Sequence, residues 1–282
     1  MAIDLDYLAK SYFWFDKPVP YKVTDGKIVT ISPVSVEDSE MFLSWMDIIS
    51  IDKNALNDVQ YISMSYLEFL ITSLIVKAPK EVSKYTILKL ASILRLCLGW
   101  EGEINIGYNE RKKPVLLYKD IVVSTKQFED IRRIILYQNL LDFDDSYVNP
   151  DIKQAMAEVD EIKSKGIDYP NLERKMAIIT AHTGLSKAEQ MKMTYRSHTA
   201  LMKEVYGEVD YLSARIGVMV GNMFSKNKID FEDWIYRKKH NKYEQYFTAE
   251  DSYNRSMGGA SIVRDDGSVD FDRNIDLSSF IK

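Results

Sequence analysis

Leu172-Glu-Arg-Lys-Met-Ala-Ile-Ile-Thr-Ala-His-Thr-Gly184-Leu-Ser186-Lys-Ala-Glu189 is the stretch that decides the fold class. Helical spacing runs from Asn171 to Thr183 and stops at Gly184, because glycine takes the left-handed conformation that ends a helix at no steric cost. Ser186 and Glu189 then have the spacing of a capping box, in which each side chain satisfies the other's backbone amide. The chain therefore starts a new helix at once, and the spacing predicts that this helix presents Met191, Tyr195, His198 and Met202 on one face. Val205 to Phe224 predicts at least one further helix, where Gly207, Gly217 and Gly221 permit close packing or bends. A final helix is expected from about Asp230 to Tyr246.

Working back toward the N-terminus, Asp142 to Pro150 is acidic and ends on a proline suited to a first helical turn, with Asn149 as its cap. The main boundary is expected there, followed by a solvated helical connector with a thin apolar stripe at Ile152, Met156, Val159 and Ile162, ending at Gly166. Ser124 with Gln127 predicts another capped helix with an apolar face at Phe128, Ile131, Ile134, Ile135 and Leu140. Glu103–Gly107, Pro114–Tyr118 and Ile121–Val123 read as a hairpin or small mixed sheet. Helices are expected near Ser63 to Lys77 and Lys80 to Leu98. The second carries Tyr85, Leu88, Leu90, Ile93, Leu94 and Cys97 around more than one face, as a central helix would. Ser35 to Asp38 can cap a helix carrying Met41, Phe42, Trp45 and Ile48. Before it, two β-rich runs joined at Asp25-Gly26 predict a hairpin with a tight primed turn.

The expected architecture is thus mainly α (α+β). It divides into an N-terminal α+β domain with small hairpins at 1–142, a helical connector at 143–168, a helical domain at 169–249 and an acidic flexible tail at 250–282. With 282 residues, 46% hydrophobic and 28% charged, the chain has ordinary globular composition. Its net charge of -5 argues against broad attraction to nucleic acid or anionic lipid. Cys97 is the only cysteine, so an intrachain disulfide and a cysteine-based zinc site are excluded, and its leucine neighbours mark it as core. The acidic start lacks the positive charge of a secretory signal, and no run is apolar enough to span a membrane, so a cytoplasmic protein is expected.

No catalytic residue, metal site or cofactor is expected. His182, His198 and His240 have no metal-ligand spacing, and His182, easing the carbonyl end of its helix, and His198 read as structural. Asp265 to Asp272 surrounds a glycine with carboxylates but lacks the alternating ligands and closing glutamate of a calcium loop. Phosphate loops, nucleophile elbows and paired-carboxylate motifs do not occur, so an enzyme reading has no anchor. Two features suggest binding instead. Trp234, Tyr236, Arg237, Lys238, Lys239, Lys242 and Tyr243 combine cations and aromatics that can contact phosphates and stack bases, yet the acids Asp230, Glu232, Asp233, Glu244 and Glu250 dilute the field. Acids early and bases late in a helix also complement its dipole, so a solvated helix end or a protein contact is expected before nucleic acid. Met176, Met191, Met193, Met202, Met219, Met223 and Met257 gather late in the chain, where unbranched thioethers suit a pliable groove. The binding candidates are accordingly Met191, Tyr195 and Met202 with the 234–243 cluster.

Leu172 to Ser186, followed by Glu189, Met193-Thr-Tyr-Arg196 and Thr199-Ala-Leu-Met-Lys203, resembles the tail assembly chaperones of long-tailed bacteriophages. In that family a helix rich in alanine or threonine meets a Thr-Gly-Leu turn and then a Met-Thr helix start. The resemblance covers about a third of the chain, roughly residues 169–259, and has no counterpart in residues 1–142. It implies binding of the tape-measure protein and tail-tube subunits during virion morphogenesis in the infected cell's cytoplasm. The alternatives it leaves open are a structural or connector protein retained in the virion, and a nucleic-acid-binding regulator using helix 234–243.

Overall fold

The computed structural model describes residues 3–23, 26–56, 58–146, 148–224, 262–263 and 269–270. Its first helix, α1 (Leu5–Ser11), is not announced by hydrophobic spacing. It starts where the Asp4 carboxylate accepts from the Tyr7 amide at 2.9 Å, satisfying one donor that a helix start leaves free. The aromatic run after it makes a 3-10 turn at Phe13–Phe15 instead of opening a strand, with Phe13 buried. Strands β1 (Val19–Lys22) and β2 (Ile28–Ile31) then pair antiparallel, Val19 opposite Ile31. Val23 N–H donates to the Lys27 carbonyl and Gly26 sits at φ 77°, so a longer loop replaces the expected two-residue turn. Asp25 itself lies outside the described residues.

Four helical segments follow: α2 (Ser39–Ser50), α3 (Val59–Ser63), α4 (Tyr66–Phe69) and α5 (Lys80–Leu98). A capping box at Ser65 and Glu68 starts α4, which continues as a π-helical Leu70–Val76, its final amide at Lys77 reaching the Thr72 carbonyl. Tyr66, Leu67, Phe69, Leu70 and Ile71 are buried there, as the apolar run required. Helix α5 buries only one face, with Leu90, Ile93, Leu94 and Cys97 inside. Tyr85 and Leu88, expected to be core, are 63% and 55% exposed, so this helix lies at the edge of the layer. Its buried Lys89 is held by Asp47 of α2 at 2.6 Å and lies 4.7 Å from the Tyr85 ring. Burial pushes the Cys97 thiol up to about 12, which leaves it inert at neutral pH.

Strands β3 (Asn105–Tyr108), β4 (Pro114–Tyr118) and β5 (Ile121–Val123) form an antiparallel meander. It leads into α6 (Thr125–Asn139), whose capping box at Ser124 and Gln127 is fully formed. Helix α6 is buried on most of its circumference, including the polar Asp130, Arg132, Gln138 and Asn139. Each of these reaches a distant segment. Tyr21 donates its hydroxyl to Asp130 at 2.7 Å, Arg132 donates to the Ile49 carbonyl at 2.9 Å, and Gln138 donates to the Lys17 carbonyl at 3.1 Å. Asn139 accepts from the Val34 amide at 2.7 Å while donating to the Ile135 carbonyl.

The later helices are α7 (Pro150–Ser164), α8 (Leu172–Thr183), α9 (Lys187–Lys192) and α10 (Tyr195–Phe224). The described chain is therefore mainly α with small β elements. Residues 1–152 and 167–229 belong to one compact unit, whose main buried apolar cluster runs from Phe13 to Leu136. A second unit combines residues 153–166 with 230–282. Its described part is most of α7 and the antiparallel pair β6 (Ile262–Val263) and β7 (Val269–Asp270). The helix expected at 230–246 and the rest of the acidic tail lie outside the described residues. Replacing Asn139 by Ala strands the buried Val34 amide, and a loss of about 2 kcal/mol is expected in denaturant unfolding at unchanged slope.

Candidate partner-binding groove

The groove is built on the corner between α8 and α10. Asn171 caps α8 through the Arg174 amide at 2.9 Å, and Gly184 ends it at φ 77° with its amide on the Thr180 carbonyl. Ser186 and Glu189 then exchange backbone bonds as expected, and the Ser186 hydroxyl and amide, both donating to the Glu189 carboxylate, hold it below its usual range. The single helix expected to run on through Met202 is broken at Met193 and Thr194. Met193 is extended, Thr194 accepts from the Ser197 amide at 3.2 Å, and α10 begins at Tyr195. From there α10 continues unbroken to Phe224, past Gly207, Gly217 and Gly221.

The break exists because residues 193–195 pair with the strap after β2. Val36 N–H donates to the Met193 carbonyl at 2.9 Å, Tyr195 N–H donates to the Val34 carbonyl at 2.8 Å, and Ser35 bridges Thr194. Asp16, in a left-handed conformation at φ 55°, places its carboxylate over the same helix start and accepts from Thr194 Oγ1 at 2.5 Å and Ser197 Oγ at 2.8 Å. Arg196 faces the other way and donates to the Tyr137 carbonyl in the last turn of α6 at 2.8 Å. Burial lowers the Arg196 pKa, while Asp142 and Asp16 work against that. These contacts fix α10 against the body of the unit and bring α2 alongside it.

Between α2, the start of α8 and the first turns of α10 lies a cavity of about 550 Å³. Glu40 and Leu43 form one wall, Pro170, Asn171, Leu172 and Lys175 another, and Tyr195, His198, Thr199, Met202, Lys203 and Tyr206 the third. Two of the expected binding residues, Tyr195 and Met202, line this cavity together with His198. Met191 is half-buried on α9, where its carbonyl accepts from the Glu37 amide at 3.3 Å, and it is not among the lining residues. Trp234, Tyr236, Arg237, Lys238, Lys239, Lys242 and Tyr243 lie outside the described residues. Leu43 and Glu40 were not anticipated, since nothing near them in sequence points to α10; Lys175 and Lys203 stood within the family-like stretch but carried no ligand signal.

His198 is buried and its role can be worked out from its neighbour. Gln190, also buried, donates through Nε2 to the Met176 carbonyl, Thr180 Oγ1 and the Leu185 carbonyl at 3.1, 2.9 and 3.1 Å. Three acceptors fix which end of that amide is nitrogen, so Oε1 must accept, and His198 Nε2, 3.3 Å away, donates to it. Burial, with Lys175 nearby, lowers the His198 pKa. This is a structural histidine at the floor of a groove. Among the described residues, no three His, Cys, Asp or Glu side chains come together to hold a metal ion. No helix among them is long and apolar enough to cross a membrane.

Comparison with protein-family models, with curated proteins and with solved structures finds no match to this chain. The groove's chemistry is that of apolar recognition with a mixed charged lining. Methionine, leucine and tyrosine offer contact area, and Glu40, Lys175 and Lys203 add charges of both signs, Lys203 being paired with Asp142.

A depressed histidine pKa destabilises the fold on the acid side of the unfolded value. The unfolded chain takes up a proton near pH 6.5 that the folded chain refuses, so the contribution is complete above about pH 6.5 and lost as pH falls toward the folded value. The denaturation midpoint is expected to fall between pH 7.5 and 5.5, and His198→Gln is expected to flatten that slope. An unchanged slope in the variant would exclude His198 as its source.

Proposed function

We propose that the chain is a non-enzymatic tail assembly chaperone of a long-tailed bacteriophage. In this reading it binds the tape-measure protein and tail-tube subunits during virion morphogenesis in the cytoplasm of the infected bacterial cell. The observation that carries the reading is the groove itself: residues of the family-like stretch, Leu172, Tyr195, Met202 and Lys203, line one cavity with Leu43. A chaperone for a long apolar helix needs a site that takes side chains of different shape in turn. Met202 and Leu43 supply adaptable apolar contact, and Tyr195 and Tyr206 supply large, rigid area. At about 550 Å³ the cavity suits one or two large side chains of a bound segment, and a whole helix would also need the surface around it.

Affinity purification from infected cells, followed by mass spectrometry, tests the reading. Tape-measure and tail-tube proteins are expected in the eluate, and the chain is expected to be absent from purified virions. Stoichiometric presence in virions would assign it instead to the particle as a connector protein, and salt-sensitive recovery of nucleic acid alone would assign it to a regulator acting through residues 234–243. Tyr206 is exposed, so Tyr206→Ala is expected to leave the circular dichroism spectrum unchanged while weakening tape-measure binding by about tenfold or more.

A further inference from the structure

Helix α10 carries a second surface over residues 209–223, beyond the groove and independent of the reading above. Met202, Val205, Val209, Leu212, Ile216, Met219 and Met223 follow one another at steps of three and four residues, an unbroken heptad pattern. The first two members are buried against the unit. From Val209 onward the stripe is exposed, rising from 41% at Val209 to 64% at Ile216 and 80% at Met223. Gly207, Gly217 and Gly221 all fall off the stripe, so its apolar layers are uninterrupted. A period of 3.5 differs from the 3.6 of a straight helix, and it keeps a seam facing another helix only when the two wind around each other.

We infer that this seam pairs with the same seam of a second copy of the chain, as a parallel two-stranded coiled coil over residues 209–223. Two observations select that occupant. The β-branched Val209 and Ile216 occupy one core layer type and Leu212 the other, the distribution that favours parallel dimers. In parallel register the flanking pairs are Glu208 with Ser213 and Arg215 with Val220 of the second copy, so no like charges meet. Antiparallel pairing that matches the same apolar layers sets Arg215 beside Arg215 of the second copy, which is repulsive.

Sedimentation equilibrium of the full chain at micromolar concentration is expected to give the mass of two chains. Ile216→Lys is expected to give the mass of one at the same concentration, with association weakened about a hundredfold or more. Because Ile216 is exposed, the circular dichroism spectrum of the unit is expected to persist, and Asp210→Lys, exposed and off the seam, is expected to leave the dimer intact. Cys97 is buried and unreactive, so Ile216→Cys introduces one reactive thiol. Mild oxidation is expected to cross-link it to its copy, since equivalent core positions meet in a parallel pair. A monomer at all concentrations overturns the proposal, and so does a dimer that survives Ile216→Lys. A dimer without the Ile216→Cys cross-link overturns the parallel register, and a monomer whose Ile216→Cys thiol resists alkylation assigns the seam to another segment of the same chain.

Discussion

A helix buried on most sides carries polar side chains at a cost unless they find partners, and α6 carries four, each making at least one such bond. Asp130, Arg132, Gln138 and Asn139 are buried, and their partners are Tyr21, Ile49, Lys17 and Val34. Each bond is worth little net, because the same groups bond water in the unfolded chain, but a buried group left alone costs far more. The four bonds thus act as a set of conditions that the surrounding segments must meet together. The Arg132 guanidinium also sits 4.2 Å from the Tyr66 ring centre and bonds Glu129, so a buried cation is matched on several sides.

The same condition reaches the groove through one short strap. Val34 gives its amide to Asn139 of α6 and its carbonyl to Tyr195 of α10, while Val36 binds the Met193 carbonyl. Residues far apart in sequence are thereby locked around a three-residue segment, which is why positions 193–195 leave the helix and why α10 starts where it does. Asp16 and Arg196 reinforce the junction with charge, one at the helix start of α10 and the other at the carbonyl end of α6. The helix ends form a pattern. Neither α2 nor α6 has a basic residue in its last turn, and each receives an arginine from elsewhere, Arg132 on the Ile49 carbonyl and Arg196 on the Tyr137 carbonyl.

Legibility in the sequence follows the range of the interaction. The capping boxes at Ser124 with Gln127 and Ser186 with Glu189 were readable because both partners lie within one turn, and so was the stop at Gly184. A hydrophobic period also identified α6 and the buried run from Tyr66. It misplaced Tyr85 and Leu88, because periodicity shows which residues share a face but not how much of the helix circumference will be covered. The continuous helix expected through Met193 failed for a comparable reason: local propensity yields where an extended segment gains two backbone hydrogen bonds with a distant strap.

The sequence by itself determined a mainly helical chain, the starts of its capped helices, an inert core thiol and the face that carries Tyr195, His198 and Met202. These rest on bonds and spacings within a few residues, which any copy of the sequence must repeat. Only the tertiary structure decided that Leu43 and Glu40 would close a cavity with that face, and that the segments before residue 142 and after 169 would share one unit. Those outcomes depend on residues 193–197 finding partners at Asp16, Val34 and Val36, more than a hundred positions away, and a donor's identity does not name its distant acceptor.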